Sequence, residues 1–138
     1  MPTRTFPARH KALAKLGEFV GNQASEAGLD ERDAYAVKLA VDEAAANIIE
    51  HAYGGEGQGE IECVCTISED KLEVVLKDRG KAFVPEEIPE LHAGLPLEDY
   101  GPGGAGLMLM KRLMDEVKFE FREGQNVVKM VKRKQATN

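Results

Sequence analysis

The sequence has only two cysteines, Cys63 and Cys65. A single intervening residue fits neither CxxC redox chemistry nor a zinc site, and no nearby His stands at ligand spacing, so a redox or metal role for these two cysteines and a disulfide framework are set aside. Positive charge is also scarce: Lys+Arg 18 against Asp+Glu 24 leaves a formal net charge of −6. Non-specific binding to nucleic acid or anionic lipid rests on Lys and Arg neutralising phosphates, so a direct nucleic-acid partner is disfavoured. Long apolar runs are missing too. None approaches the ~20 residues of a membrane span, and Met1 to His10 has no apolar leader core. The expectation is a soluble cytoplasmic protein without a membrane partner.

What is present suffices for one domain, residues 1–138. A chain of this size buries about 68% of its unfolded surface, and 43% hydrophobic content supplies the core. Thr3 to Ala8 reads as an edge strand. Ala12, Leu13, Leu16, Phe19, Val20, Gln23, Ala24 and Ala27 recur at three and four residues, which predicts a helix ended by Gly28. Asp30 is placed as an N-cap ahead of Glu31 and Asp33. The alanine-rich helix it opens is predicted to run to Ala52, before Gly54-Gly55. Ile61 to Ile67 and Leu72 to Leu76 alternate about Ser68-Glu69-Asp70 as a hairpin, with both cysteines on one face. Four prolines and five glycines fall between Arg79 and Gly104, a functional lid by its irregularity. Gly106 to Leu113 reads as a helix, and Val117 to Phe121 and Val127 to Val131 as strands about Glu123-Gly124-Gln125. The basic residues Lys129, Lys132, Arg133 and Lys134 read as a solubilising strand end.

Three clusters carry chemistry. Glu43 and Asn47 stand one helical turn apart, with His51 a further turn along. A carboxylate can take a proton, and an amide oxygen is a hard ligand suited to Mg²⁺. A solvated polar stripe would look the same. Asp78-Arg79-Gly80 ends a strand, where a carboxylate can accept from an exocyclic amine and glycine admits a flat ring, although a plain turn shares that pattern. Gly101, Gly103, Gly104 and Gly106 precede or open a helix, where backbone amides and the helix dipole favour phosphate, and where a flexible loop is the simpler reading.

Order and context make the three together far more specific than any one. The segment Val41-Asp42-Glu43-Ala44-Ala45-Ala46-Asn47 resembles the Asn-containing box of the ATPase superfamily shared by DNA gyrase, sensor histidine kinases and MutL. The His51-Ala52-Tyr53 ending, the Asp78-Arg79-Gly80-x-x-Phe83 box and the run from Gly103 to Val117 are similar to the anti-sigma-factor serine kinases of bacterial partner switching. The resemblance spans about residues 5 to 133.

It implies an α+β two-layer sandwich of the Bergerat type, with a mixed, mainly antiparallel sheet and helices on one face. It also implies an ATP-dependent serine kinase that phosphorylates a small antagonist protein and sequesters a sigma factor, with a homodimer as the common assembly. By that resemblance Glu43 is the general base and Asn47 the protein ligand of an ATP-bridging Mg²⁺. Asp78 binds the adenine amine, with Gly80 against the ring and His51 near the nucleotide. Gly101, Gly103, Gly104 and Gly106 form the lid hinge and phosphate cradle, and Lys15 is the candidate to meet the protein substrate. The chain departs from its relatives in Ala82 within the adenine loop, in Asn126-Val127-Val128 where a threonine often lies, and in a lid from Ala82 to Met110 without Lys or Arg. That lid keeps a second reading open, a nucleotide-binding module that docks partners without transfer. A detached histidine-kinase-type ATPase domain is the third, weakened because no helix with a phosphoacceptor His precedes the box.

Overall fold

The computed structural model describes residues 1–84 and 104–135. Five strands, β1 (Thr3–Pro7), β2 (Glu60–Ile67), β3 (Lys71–Asp78), β4 (Glu116–Arg122) and β5 (Gln125–Arg133), form one sheet in the order β1-β2-β3-β5-β4. Every strand pairing among the described residues is antiparallel. Three helices, α1 (Leu13–Glu26), α2 (Glu31–Asn47) and α3 (Gly104–Leu113), accompany it. The expected α+β architecture with a mainly antiparallel sheet is therefore present.

The alternation seen in the sequence decides which face is covered. Ile61, Cys63 and Cys65 of β2, Leu72, Val74 and Leu76 of β3 and Val128 and Met130 of β5 are buried in one core with Leu16 and Val20 of α1 and Val37, Val41, Ala44 and Ala45 of α2. Pairing puts Cys63 opposite Leu76 and Leu76 opposite Val128, so the inner row is continuous across the central strands. The cysteines are free thiols, and the neighbouring Cys65 thiol together with burial pushes the Cys63 thiol up from its usual range.

The signals that end and begin the helices act as expected. Gly28 stands at φ +83, with Leu29 N–H donating to Ala24 O and Gly28 N–H to Ser25 O, the paired bonds that close a helix on a left-handed glycine. The Asp30 carboxylate accepts from Asp33 N–H at 2.8 Å.

Two expectations need correction. The second helix is not α-helical to Ala52: the α-helix ends at Asn47, and Ile48–Ala52 is a wider π turn in which Tyr53 N–H reaches back to Ile48 O. Lys132 is not part of a solvated tail. Its side chain is 13% exposed, its ammonium donates to Leu113 O at 2.7 Å and it lies 3.9 Å from the buried Asp33 carboxylate. It thereby caps the C-terminus of α3, where the helix dipole favours a cation, and ties that helix to the start of α2. No described helix is long and apolar enough to cross a membrane.

Candidate nucleotide-binding site

The π turn positions the site. Such turns insert one residue into the helical ladder and are frequent at functional positions, and this one starts directly after Asn47. Upstream, α2 keeps Ala44 and Ala45 against the sheet, which sets Glu43 and Asn47 along the neighbouring flank, Glu43 partly covered and Asn47 only 6% exposed. Burial pushes the Glu43 carboxyl above the usual carboxylate range, and the nearby Asp42 and Glu50 charges push the same way. Among the described residues the buried Asn47 amide nitrogen has no hydrogen-bond partner. Leaving such a donor unpaired costs about 1–3 kcal/mol, and Gln23 Oε1 on α1 is buried unpaired in the same way.

Asp78 closes β3 on the inner face, 3% exposed. Burial pushes its carboxyl up, while hydrogen bonds from Asn126 and from Gly80 N–H pull it back down. Asn47, Ile48, Ala52, Asp78, Phe83 and Asn126 border one small cavity of about 20 Å³. That holds about one water, so a purine enters only if a wall moves. Phe83 is one half-buried wall: its ring stacks on His51 at 6.0 Å and meets Phe119 edge-on at 6.2 Å. A broader depression of about 450 Å³, lined by Tyr53, Lys77 and Arg79 beside Asp78, touches neither Glu43 nor Asn47.

The residues singled out in the sequence thus divide. Asn47 and Asp78 meet at one cavity. Glu43 lies one turn back on α2, against α3: a Cβ on Gly106 would fall 2.5 Å from its Oε2. His51 is exposed and stacks on Phe83, which borders that cavity. Gly80 has a packing role, since a Cβ there would fall 2.5 Å from the carbonyl of Ala52, and Lys81 N–H donates to that same oxygen at 2.7 Å. Gly104 and Gly106 lie inside the first turn of α3 rather than ahead of it. Gly101 and Gly103 lie outside the described residues. Lys15 is exposed on α1. Among the described residues no cluster of three or more His, Cys, Asp or Glu side chains is placed to hold a metal ion. Mg²⁺ at this site would take Asn47 as its protein ligand and its other oxygens from phosphates and water, the donor set this ion accepts.

The sequence marked Asn126 only as part of Asn126-Val127-Val128, where a threonine often lies in relatives, and gave it no role. A further signal is that a lone Asn at the start of a valine-rich strand is a poor strand former.

The model of the histidine kinase-like ATPase domain matches residues 6–132. The chain belongs to the histidine kinase-like ATPase family. Its curated relatives include serine-protein kinase RsbW of Listeria monocytogenes serotype 4a, 42% identical over 130 residues that cover 91% of this chain and 83% of the relative. Serine-protein kinase RsbW of Bacillus velezensis is 37% identical over 88% of this chain and 79% of its own length. Among solved structures, the RsbU and RsbW domains of a Mycobacterium tuberculosis protein align with a TM-score of 0.66 at 18% identity, over 96% of this chain and 32% of that one. The catalytic domain of histidine kinase ThkA aligns at 0.60 and 16% identity, over 97% and 98%. At those identities the likeness is one of fold, and the fold of this family is the one described above.

Proposed function

We propose that this chain is an ATP-dependent serine-protein kinase whose site is built from Glu43, Asn47 and Asp78, and that it doubles as an anti-sigma factor. ATP use follows from membership of an ATPase family, and serine as the acceptor follows from relatives at 37–42% identity named serine-protein kinases. The observation that carries the assignment of residues is that the buried Asn47 and the Asp78 carboxylate border one cavity.

Phosphoryl transfer asks a protein mainly for positioning and charge neutralisation. Asp78 accepts the adenine amine and fixes the base. Asn47 faces the phosphates, where Mg²⁺, when bound with ATP, supplies charge neutralisation. The serine Oγ forms a bond to the γ-phosphorus as the bond from that phosphorus to the β,γ-bridging oxygen breaks. Glu43 takes the serine proton, and ADP departs. Burial raises the proton affinity of Glu43, which suits a general base better than an ordinary exposed carboxylate. The acceptor is a serine on a small antagonist protein, and the unphosphorylated state of that antagonist competes with a sigma factor for the kinase.

The test is titration calorimetry with Mg-ATP on the parent and on Asn47→Ala, with circular dichroism to check the fold. Binding by the parent that is lost in the folded variant is the expected result; equal affinities overturn the placement of Asn47.

A further inference from the structure

Asn126 and Asp78 are register partners at the ends of β5 and β3, both on the inner face of the sheet. The Asn126 Nδ2 group donates to Asp78 Oδ1 at 2.9 Å and to Lys81 O at 2.8 Å, and its Oδ1 accepts from Phe83 N–H at 2.8 Å. All three bonds require one orientation of the amide, because the flipped side chain would set its oxygen against two acceptors. Asp78 Oδ1 also receives Gly80 N–H at 2.9 Å. Among the described residues no hydrogen bond falls on Oδ2. One oxygen of the carboxylate is therefore held from two sides, and the other is left to accept.

We propose that Asn126 is the positioning residue that sets base specificity, locking Asp78 as an ionised acceptor so that the site takes 6-aminopurine nucleotides and rejects 6-oxopurine ones. This rests on the nucleotide-binding reading above. A carboxylate can accept from a 6-amino group, whereas it meets a 6-oxo group as acceptor against acceptor. Discrimination of this kind is strong when the buried group is left unpaired by the wrong ligand. The opposing force is desolvation, which drives a buried carboxyl toward its protonated, donating form. Two N–H donors on Oδ1 counter that drive.

The experiment measures ATP and ITP affinity by calorimetry, from pH 5.5 to 8.5, for the parent, Asn126→Ala, Asp78→Asn and the double variant. Asn126→Ala is expected to weaken ATP by about tenfold or more, the scale of a lost charge-assisted hydrogen bond, while ITP changes by less than about twofold. The acid limb of the ATP profile should move toward neutral pH. In the Asp78→Asn background the second substitution should change ATP affinity by less than about twofold, because the effect runs through Asp78. If Asn126→Ala does not fold, as checked by urea denaturation, Asn126→Leu keeps the size and must give the same narrowing of preference. Equal loss of ATP and ITP, or an undiminished loss in the Asp78→Asn background, makes Asn126 a structural residue only and overturns the proposal. A parent that binds neither nucleotide overturns the nucleotide reading and this inference with it.

Discussion

Glu43 and Gly106 are in such close approach that any side chain at 106 would meet the carboxylate, its Cβ 2.5 Å from Oε2. This brings the N-terminal turn of α3 onto the flank of α2 that carries the proposed base. A glycine at this point is a condition of the geometry rather than a source of flexibility. The atom it meets is the far end of a side chain that can rotate. Gly106→Ala should therefore leave urea stability undiminished while turning Glu43 aside. Phosphoryl transfer should fall on the order of 10²-fold, the cost of a displacement near 1 Å. Unchanged transfer by a folded Gly106→Ala would show that Glu43 works from a different position.

Gly80 makes the opposite case. Its missing Cβ would fall 2.5 Å from backbone atoms of Ala52, which cannot rotate away. Gly80→Ala should lower stability by about 1–3 kcal/mol, the usual cost of overpacking, measured as a lower urea midpoint at unchanged slope.

Lys132 joins three elements through Leu113 O and Asp33. Lys132→Met keeps the apolar stem and removes the ammonium, leaving a helix terminus uncapped and the Asp33 carboxylate, 7% exposed, unpaired. The expected loss is about 1.5–3 kcal/mol, as for a hydrogen bond to a charged group. Stability within about 0.5 kcal/mol of the parent would mean that water replaces the ammonium.

Glu43 also gives a pH dependence whose sign is set by burial. Its proton affinity is raised in the folded protein, so transfer, which needs the ionised form, should decline on acidification at a higher pH than an ordinary carboxylate allows. The stability linkage runs the other way. A raised folded-state pKa favours folding below the unfolded value, and that contribution is lost as pH rises through the folded value. Glu43→Gln should accordingly lose the acid limb of the rate profile and be no less stable than the parent near neutrality.

Most of the frame was legible because it depends on local chemistry: Gly28 as a left-handed stop, Asp30 as a cap, and period-two alternation in the central strands. The residues of the proposed site, Glu43, Asn47 and Asp78, were singled out in the sequence by their order and context, and the resemblance supplied their roles. What escaped depends on contacts between distant residues. The π turn at Ile48–Ala52 leaves the apolar pattern of Ile48, Ile49 and Ala52 compatible with an α-helix, so periodicity cannot reveal it. Asn126 is separated from Asp78 by 48 positions, and only strand register makes them neighbours. Lys132 stands among other basic residues in sequence and alone reaches inward. Gly80 looked like room for a ligand, whereas the space belongs to the Ala52 backbone.

The most direct test of the whole account is single-turnover transfer of labelled γ-phosphate from ATP to a serine-bearing antagonist domain, with parent and Glu43→Gln proteins compared at equal nucleotide occupancy. The account predicts transfer by the parent and a loss of about 10²-fold or more in the variant, the range for removing a general base, with ATP affinity little changed. Transfer at equal rates would contradict the role of Glu43, and ATP binding without transfer by the parent would contradict the kinase itself.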